Sequence, residues 1–206
     1  MNTTEIKTKN IIRSFNDLYK YARKQFLEYE KIEGIDDWEE YSFSIDCSKD
    51  QAKFKDMLQI RFIEELTEAT HALDNKEHFY EEITDAINFF LSAYCMLDIN
   101  FKDLTSPLKF LNEENLIAKI IYPYKTYCLE FYPIIDAVGD LCNLLKNRPW
   151  AQSNYLVSMF DFNEKLNVLW DMFWKMLGDI GLSSKDIFDL FERKYLVNKW
   201  RIKTGY

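Results

Sequence analysis

The stretch EELTEATHALDNKEHFYEEITD, Glu64 to Asp85, carries two pairs of acidic residues within a helical pattern. Glu65 and Glu68 are three residues apart, as are Glu82 and Asp85, and thirteen residues separate the two pairs. Residues three apart on a helix share a face, with Cβ atoms about 5–6 Å apart. Two such helices, packed antiparallel across the short DNKE turn, would bring all four carboxylates together.

The alternative is that these acids form a solvated helix face, which is the usual role of an E-x-x-E pair. On the first of the two helices, a mostly polar stripe through Glu64 supports that alternative. The second helix opposes it, because between residues 86 and 97 only Asn88 and Ser92 are notably polar. A helix that is apolar nearly all round is normally buried. Asp85 would then lie at the mouth of a buried helix, where an unpaired carboxylate is costly.

A divalent cation would relieve this cost. Clustered carboxylates without a cation repel one another and raise their own pKa values. Oxygen ligands of this kind suit the hard ions Mg²⁺ and Mn²⁺, which keep some water ligands and bind substrate phosphates. The sequence therefore predicts a site for Mg²⁺, with Mn²⁺ as the alternative ion. The predicted ligands are Glu65, Glu68, Glu82 and Asp85.

The C-terminal segment RKYLVNKWRIKTGY, residues 193–206, contains five basic residues and no acidic one. In a chain of net charge -8, this asymmetry indicates an anion-binding element. Lys194, Asn198 and Arg201 share one helical face, on which Arg offers a planar fork and Lys a mobile point charge. The alternative is a basic tail that only keeps the protein in solution. Beside an acidic metal site we favour phosphate binding, because a metal and cationic side chains together can hold a phosphate chain.

Composition sets the class of protein. The 206 residues fit one domain, and 48% of them are hydrophobic, with only 5 Gly and 4 Pro. The net charge argues against a nucleic-acid groove, and the four cysteines form no zinc or disulfide pattern. No segment has the profile of a signal peptide or a membrane span. These observations predict a cytoplasmic, soluble, all-α protein with a large core.

Apolar periodicity predicts a helical bundle. The expected helices cover residues 4–32, 51–73, 79–97, 124–146 and 163–179. A further helix should open at Ser106 and Pro107, as N-cap and first-turn proline. Pro133 should bend or interrupt the helix that contains it. Ser183 should cap the last helix, with Asp186 near its third position.

The acidic and C-terminal motifs together resemble a known family. E-x-x-E, thirteen residues and E-x-x-D are similar to the metal motif of the all-α nucleoside triphosphate pyrophosphohydrolases, the MazG-like superfamily. The ending matches K-x-x-x-N-x-x-R-x-x-x-G-Y, a pattern of dimeric all-α dUTPases and related phage dCTP pyrophosphatases. Within a single domain, residues 1–206, the resemblance covers about 50–98 and 160–206. Residues 100–155 are expected to form a helical insertion.

The resemblance implies Mg²⁺-dependent hydrolysis of a deoxynucleoside triphosphate to the monophosphate and pyrophosphate, in a homodimer. It assigns the four paired acids to the metal, and Glu64 to the attacking water. Lys76 is the counterpart of a lysine that the family often has between its acidic motifs. The expected contacts to phosphates and sugar are Lys194, Asn198, Arg201 and Tyr206. The expected base pocket contains Asn16, Asn88 and Phe89.

Three departures from the family pattern concern the base. Arg13 stands where the family has Gln, Asn88 where it has His, and Ile202 where it has Gln. Because buried polar groups set base choice strongly, we expect dUTP first and dCTP next, and a purine or modified nucleotide stays open. The alternative function is a catalytically altered relative that binds a nucleotide or a protein partner through the same cleft. A nucleic-acid module built on the basic tail is the weakest alternative.

Overall fold

The chain folds as an all-α protein, which confirms the predicted class. The computed structural model describes residues 11–35, 43–111, 128–147, 150, 152 and 155–205, and no strand occurs among them. The α-helices are α1 (Phe15–Ile32), α2 (Ser48–Lys55), α3 (Ile63–His71), α4 (Lys76–Met96), α5 (Cys128–Asn143), α6 (Met159–Asp179) and α7 (Ser184–Thr204). A π-helix, Asp56–Phe62, joins α2 to α3. None of the helices in this part of the chain has the length and apolarity that a membrane crossing requires.

The core is built around α4, which contacts α1, the π-helix, α3 and α7. The Asn75 side chain caps α4 by accepting two backbone N–H groups of the first turn. Beyond the first turns α4 is buried on nearly all sides, and at its centre the rings of Phe90 and Phe173 lie 4.1 Å apart. Large aromatic side chains of this kind contribute strongly to core stability. Their burial carries Asp85 and Asn88 into the interior, as the apolar sequence of this helix predicts.

The π-helix keeps two stripes of side chains straight along the segment 48–71, each stripe having a spacing of four residues. Four core residues recur at intervals of four and are fully buried, namely Phe54, Leu58, Phe62 and Leu66. In a regular α-helix each interval of four would rotate a side chain by about 40°, and the whole stripe by about 120°. The wider i→i+5 turns of the π-helix absorb this rotation. A second stripe with the same spacing therefore also stays on one face, formed by Met57, Arg61 and Glu65.

The predicted helix at Ser106 is wrong as far as Leu111, the last described residue before 112–127. Only a 3₁₀ turn, Pro107–Lys109, forms there, and the Ser106 side chain makes no capping hydrogen bond. The Phe110 carbonyl oxygen packs against α6 so closely that a Cβ on Gly178 would lie 2.3 Å from it. This close approach holds the segment as a turn against α6.

Other boundaries shift by smaller amounts. α1 begins at Phe15, because Ser14 Oγ accepts the Asp17 N–H at 3.1 Å and caps the helix there; the predicted residues 4–10 lie outside the described part. α5 continues through Pro133 without interruption. The cap of the last helix is confirmed, since Ser183 and Asp186 exchange both hydrogen bonds of a capping box.

Candidate functional site

Three of the four paired carboxylates meet between α3 and α4. Glu65, Glu82 and Asp85 each offer an oxygen atom, and these atoms lie within 4.8 Å of one another. Glu82 is buried, and the other two are half-buried. The arrangement follows from the antiparallel packing of α3 on α4, which the short turn at residues 72–75 enforces. We call these three residues the acid cluster.

Glu68 and Glu64 lie outside the acid cluster. Glu68 is exposed, although its charge still raises the pKa values of Glu65 and Glu82. Glu64 is also exposed, and its carboxylate lies 3.9 Å from the guanidinium of Arg61. Both residues sit on the solvent side of α3, so each would need a side-chain rotation to join the other acids.

The acid cluster concentrates negative charge in a partly buried place. Burial is the main cause that raises the pKa of Glu65 to about 8, followed by the charge of Asp85 and the contact with Glu82. Burial also raises the pKa of Glu82, although a hydrogen bond with Glu65 and the charge of His78 oppose it. A divalent cation would relieve the same repulsion, because it favours the ionised form of all three acids. An all-oxygen donor set of this kind fits a hard ion such as Mg²⁺.

The raised pKa of Glu65 predicts a pH dependence of stability in the presence of a chelator. The folded protein keeps a proton on Glu65 up to a pKa of about 8, whereas the usual value is 4.5. Between these values the folded state binds more protons than the unfolded chain, so stability falls as the pH rises. We expect Tm in EDTA to decrease from about pH 5 to about pH 8 and Glu65→Gln to flatten that decrease. An unchanged slope in Glu65→Gln, with the exposed Glu81→Gln as control, would contradict this assignment.

Lys194 of α7 joins the acid cluster from the opposite side. Its Nζ donates to Asp85 Oδ2 at 2.5 Å, and the two side chains are only 22% and 20% exposed. Burial raises the pKa of Asp85, and Lys194, Arg201 and a hydrogen bond with Asn88 oppose that shift. The face of α7 that carries Lys194 therefore contacts the face of α4 that carries Asp85, as the sequence predicts.

One cavity of about 400 Å³ lies between α7 and two residues of the acid cluster. Lys194, Asn198 and Arg201 line it together with Glu65 and Asp85. A volume of this size is typical of small-molecule sites. The remaining walls come from α1, from the π-helix and from the α4 residues that follow Asp85, namely Asn88, Phe89 and Ser92.

A pair of buried amides forms part of the cavity wall. Gln25 Nε2 donates to Asn88 Oδ1 at 3.2 Å, and Asn88 Nδ2 donates to the Thr84 carbonyl at 3.1 Å. The Thr84 carbonyl can only accept a hydrogen bond, and the same holds for the ionised Asp85 carboxylate, which Asn88 also contacts. The side-chain amides of Asn88 and Gln25 therefore each have one favoured orientation. Gln25 Oε1 is then left buried, with no hydrogen-bond partner among the described residues. A ligand with an N–H donor would satisfy this oxygen.

Gln25 occupies the place for which the sequence suggested Asn16. Asn16 is exposed and lines a separate depression with Arg23 and Asp98, so the structure does not bring it to the cavity. The stripe of α1 that faces the cavity comes later along the helix and consists of Gln25, Phe26, Tyr29, Glu30 and Glu33. A signal for Gln25 existed in the sequence, because it follows Leu18 and Ala22 on the apolar face of this helix.

The other predicted site residues lie partly inside and partly outside the cavity lining. Phe89 is half-buried and lines the cavity. Lys76 is exposed on the first turn of α4, with its Nζ 5.5 Å from the centroid of the Tyr80 ring, and does not line the cavity. Tyr206 lies outside the described residues. Met57 and Arg61, which belong to the π-helix, also line the cavity, although no motif in the sequence predicts them as site residues.

Comparison with known proteins does not assign this chain to a family. No protein-family model, curated protein or solved structure matches the chain. The acid cluster, the cations of α7 and the buried amides are therefore the observations from which a function can be argued.

Proposed function

We propose that the protein is an all-α nucleoside triphosphate pyrophosphohydrolase that hydrolyses a deoxynucleoside triphosphate to the monophosphate and pyrophosphate. The observation that supports this most is a single cavity lined both by Glu65 and Asp85 of the acid cluster and by the cations of α7. Carboxylates alone would repel a triphosphate, and cations alone would bind any anion. Together they suit a metal-bound phosphate chain. The proposal includes the homodimer that the sequence resemblance implies.

Glu65, Glu82 and Asp85 would hold Mg²⁺, or Mn²⁺ in its place. When bound, such an ion supplies positive charge to the phosphate oxygens and lowers the pKa of a coordinated water. Lys194 and Arg201 bind the phosphate chain and neutralise the charge that develops on the leaving pyrophosphate. Asn198, which is buried in the cavity wall, offers amide N–H groups to the phosphates or the sugar. Glu64 keeps its proposed role in orienting water only if its side chain rotates away from Arg61.

The amide pair is the proposed base-recognition element. Gln25 Oε1 has no hydrogen-bond donor among the residues that the structure describes, so it can accept N3–H of uracil or the 4-amino group of cytosine. The second Nε2 hydrogen of Gln25 can donate to the neighbouring acceptor of either base. Phe89, which is half-buried, and Tyr29, which is 37% exposed, offer aromatic faces to a planar ring. This chemistry is consistent with dUTP as the first candidate and dCTP as the second.

The proposed function is tested by incubating the purified protein with Mg²⁺ and each deoxynucleoside triphosphate and measuring pyrophosphate. We expect release of pyrophosphate and the monophosphate from dUTP, from dCTP or from both, and loss of release in EDTA. Release of inorganic phosphate, or no product from any nucleotide, would contradict the proposal.

A second candidate function is nucleotide binding without hydrolysis, as in a catalytically altered relative. The exposure of Glu68 favours it, since only three of the four expected carboxylates converge. Nucleotide binding without hydrolysis would give Mg²⁺-dependent binding in the same assay series but no pyrophosphate.

The role of Gln25 is tested by Gln25→Met, which keeps the size of the side chain and removes both polar atoms. We expect kcat/KM for dUTP to fall by about 10- to 100-fold, because one base contact and the bond to Asn88 are lost. Wild type should discriminate against N3-methyl-dUTP, and Gln25→Met should not. Asn16→Met is the matched control and should behave as wild type. Equal loss in both variants would assign base recognition elsewhere.

A further inference from the structure

Arg61 is a cationic side chain on the cavity wall that lies outside the C-terminal motif. It lines the cavity between Met57 and Glu65 on the stripe that the π-helix keeps on one face. In a regular α-helix Arg61 would already lie within about 40° of Glu65, and the π-helix removes most of this offset along the stripe. π-turns are frequent at functional sites, and this one aligns Arg61 with Met57 and Glu65 on one wall of the cavity.

The guanidinium of Arg61 is loosely held. Its nearest acidic atoms are Asp56 Oδ2 at 3.8 Å and Glu64 Oε2 at 3.9 Å, both beyond hydrogen-bond distance. The side chain is 53% exposed, and exposed ion pairs of this kind contribute little to stability. By contrast, Lys194 Nζ lies 2.5 Å from the carboxylate of Asp85. The guanidinium of Arg23 lies 2.6 Å from the carboxylate of Asp98. The N–H donors of Arg61 therefore remain able to bind a ligand.

The charge of the cavity lining favours a further cationic group for binding an anion. Five acidic residues line it, namely Glu30, Glu33, Asp56, Glu65 and Asp85, against three basic ones, Arg61, Lys194 and Arg201. Lys53, which lies outside the lining, pairs with Glu30 and Glu33, and a divalent cation would offset further acids. A triphosphate adds several negative charges of its own, so each basic residue in the lining can contribute to its binding.

We propose that Arg61 binds the phosphate chain of the substrate as a third protein cation, leaving its loose contacts with Asp56 and Glu64. Its planar fork can hold two phosphate oxygens at once, a geometry that Lys194 cannot provide. Arg61 enters from the π-helix, whereas Lys194 and Arg201 enter from α7, so the cations approach the chain from different walls. This inference rests on the proposed function, since it takes a nucleoside triphosphate as the ligand.

The experiment compares Arg61→Ala and Arg61→Lys with wild type in calorimetric binding of α,β-imido-dUTP and of dUMP, both with Mg²⁺. We expect Arg61→Ala to weaken binding of the triphosphate analogue about 10-fold or more, with dUMP affected far less. Arg61→Lys should recover only part of the loss. Arg23→Ala, an arginine outside the cavity with one acidic partner, is the matched control and should match wild type.

The outcomes separate this inference from the proposed function. If wild type hydrolyses dUTP and binds the analogue, but Arg61→Ala binds it equally well, the assignment of Arg61 is overturned and the proposed function stands. Equal weakening of the analogue and of dUMP also overturns it, because a phosphate-chain contact would distinguish them. If wild type binds neither the analogue nor any deoxynucleoside triphosphate, the proposed function fails and the assignment of Arg61 fails with it.

Discussion

Asp85→Asn should abolish pyrophosphate release, lowering kcat on the order of 10³-fold or more. Asp85 belongs to the acid cluster and also accepts the hydrogen bond from Lys194. Asparagine keeps the shape of the side chain but removes the charge, so both the cation and Lys194 lose their anionic partner. Asp85 therefore links the acid cluster to α7.

Two measurements make this result specific. Electron paramagnetic resonance of added Mn²⁺ should show tight binding to wild type and weak binding to Asp85→Asn, independently of turnover. The exposed Asp103→Asn, outside the cavity, should leave Mn²⁺ affinity and kcat unchanged. Full activity of Asp85→Asn would remove the proposed mechanism.

Lys194→Ala should lower kcat/KM for the preferred triphosphate by about 10²-fold. The loss has two sources, since the phosphate chain loses a cation and the partly buried Asp85 loses its ion pair. Removing one partner of a partly buried pair leaves the other charge poorly compensated. We therefore expect a weaker affinity for the triphosphate, which steady-state kinetics and calorimetric binding would both measure.

Lys199→Ala is the matched control for Lys194→Ala. Lys199 has the same charge, lies on the same helix and is exposed outside the cavity lining. It should behave as wild type, so that a general effect of removing positive charge from α7 is separated from an effect at the site. If Lys194→Ala retains wild-type kinetics, the basic face of α7 has a role other than phosphate binding.

Much of the site could be predicted from local sequence patterns. The i, i+3 spacing of Glu82 and Asp85 and the apolar sequence that follows require a buried α4 with acids at its mouth. The spacing of Lys194, Asn198 and Arg201 likewise defines one face of α7. These features depend on helix geometry alone, which a sequence specifies well.

The remainder depends on rotations and packing that local patterns do not encode. The sequence alone does not show that Glu68 faces solvent while Glu65 faces Glu82, since both fit the same spacing. A regular 3.6-residue period does not anticipate the π-helix, which aligns Met57, Arg61 and Glu65 along one wall of the cavity. The family pattern points to Asn16, whereas the polar residue on the apolar face of α1 is Gln25.

The central claim is that a divalent cation on the acid cluster and the cations of α7 hold one triphosphate between them. An anomalous difference map from crystals grown with Mn²⁺ and α,β-imido-dUTP tests it most directly. The account predicts a Mn²⁺ peak within ligand distance of Glu65, Glu82 and Asp85, with the triphosphate extending to Lys194 and Arg201. A peak at another place, or a nucleotide bound away from the acid cluster, would contradict it.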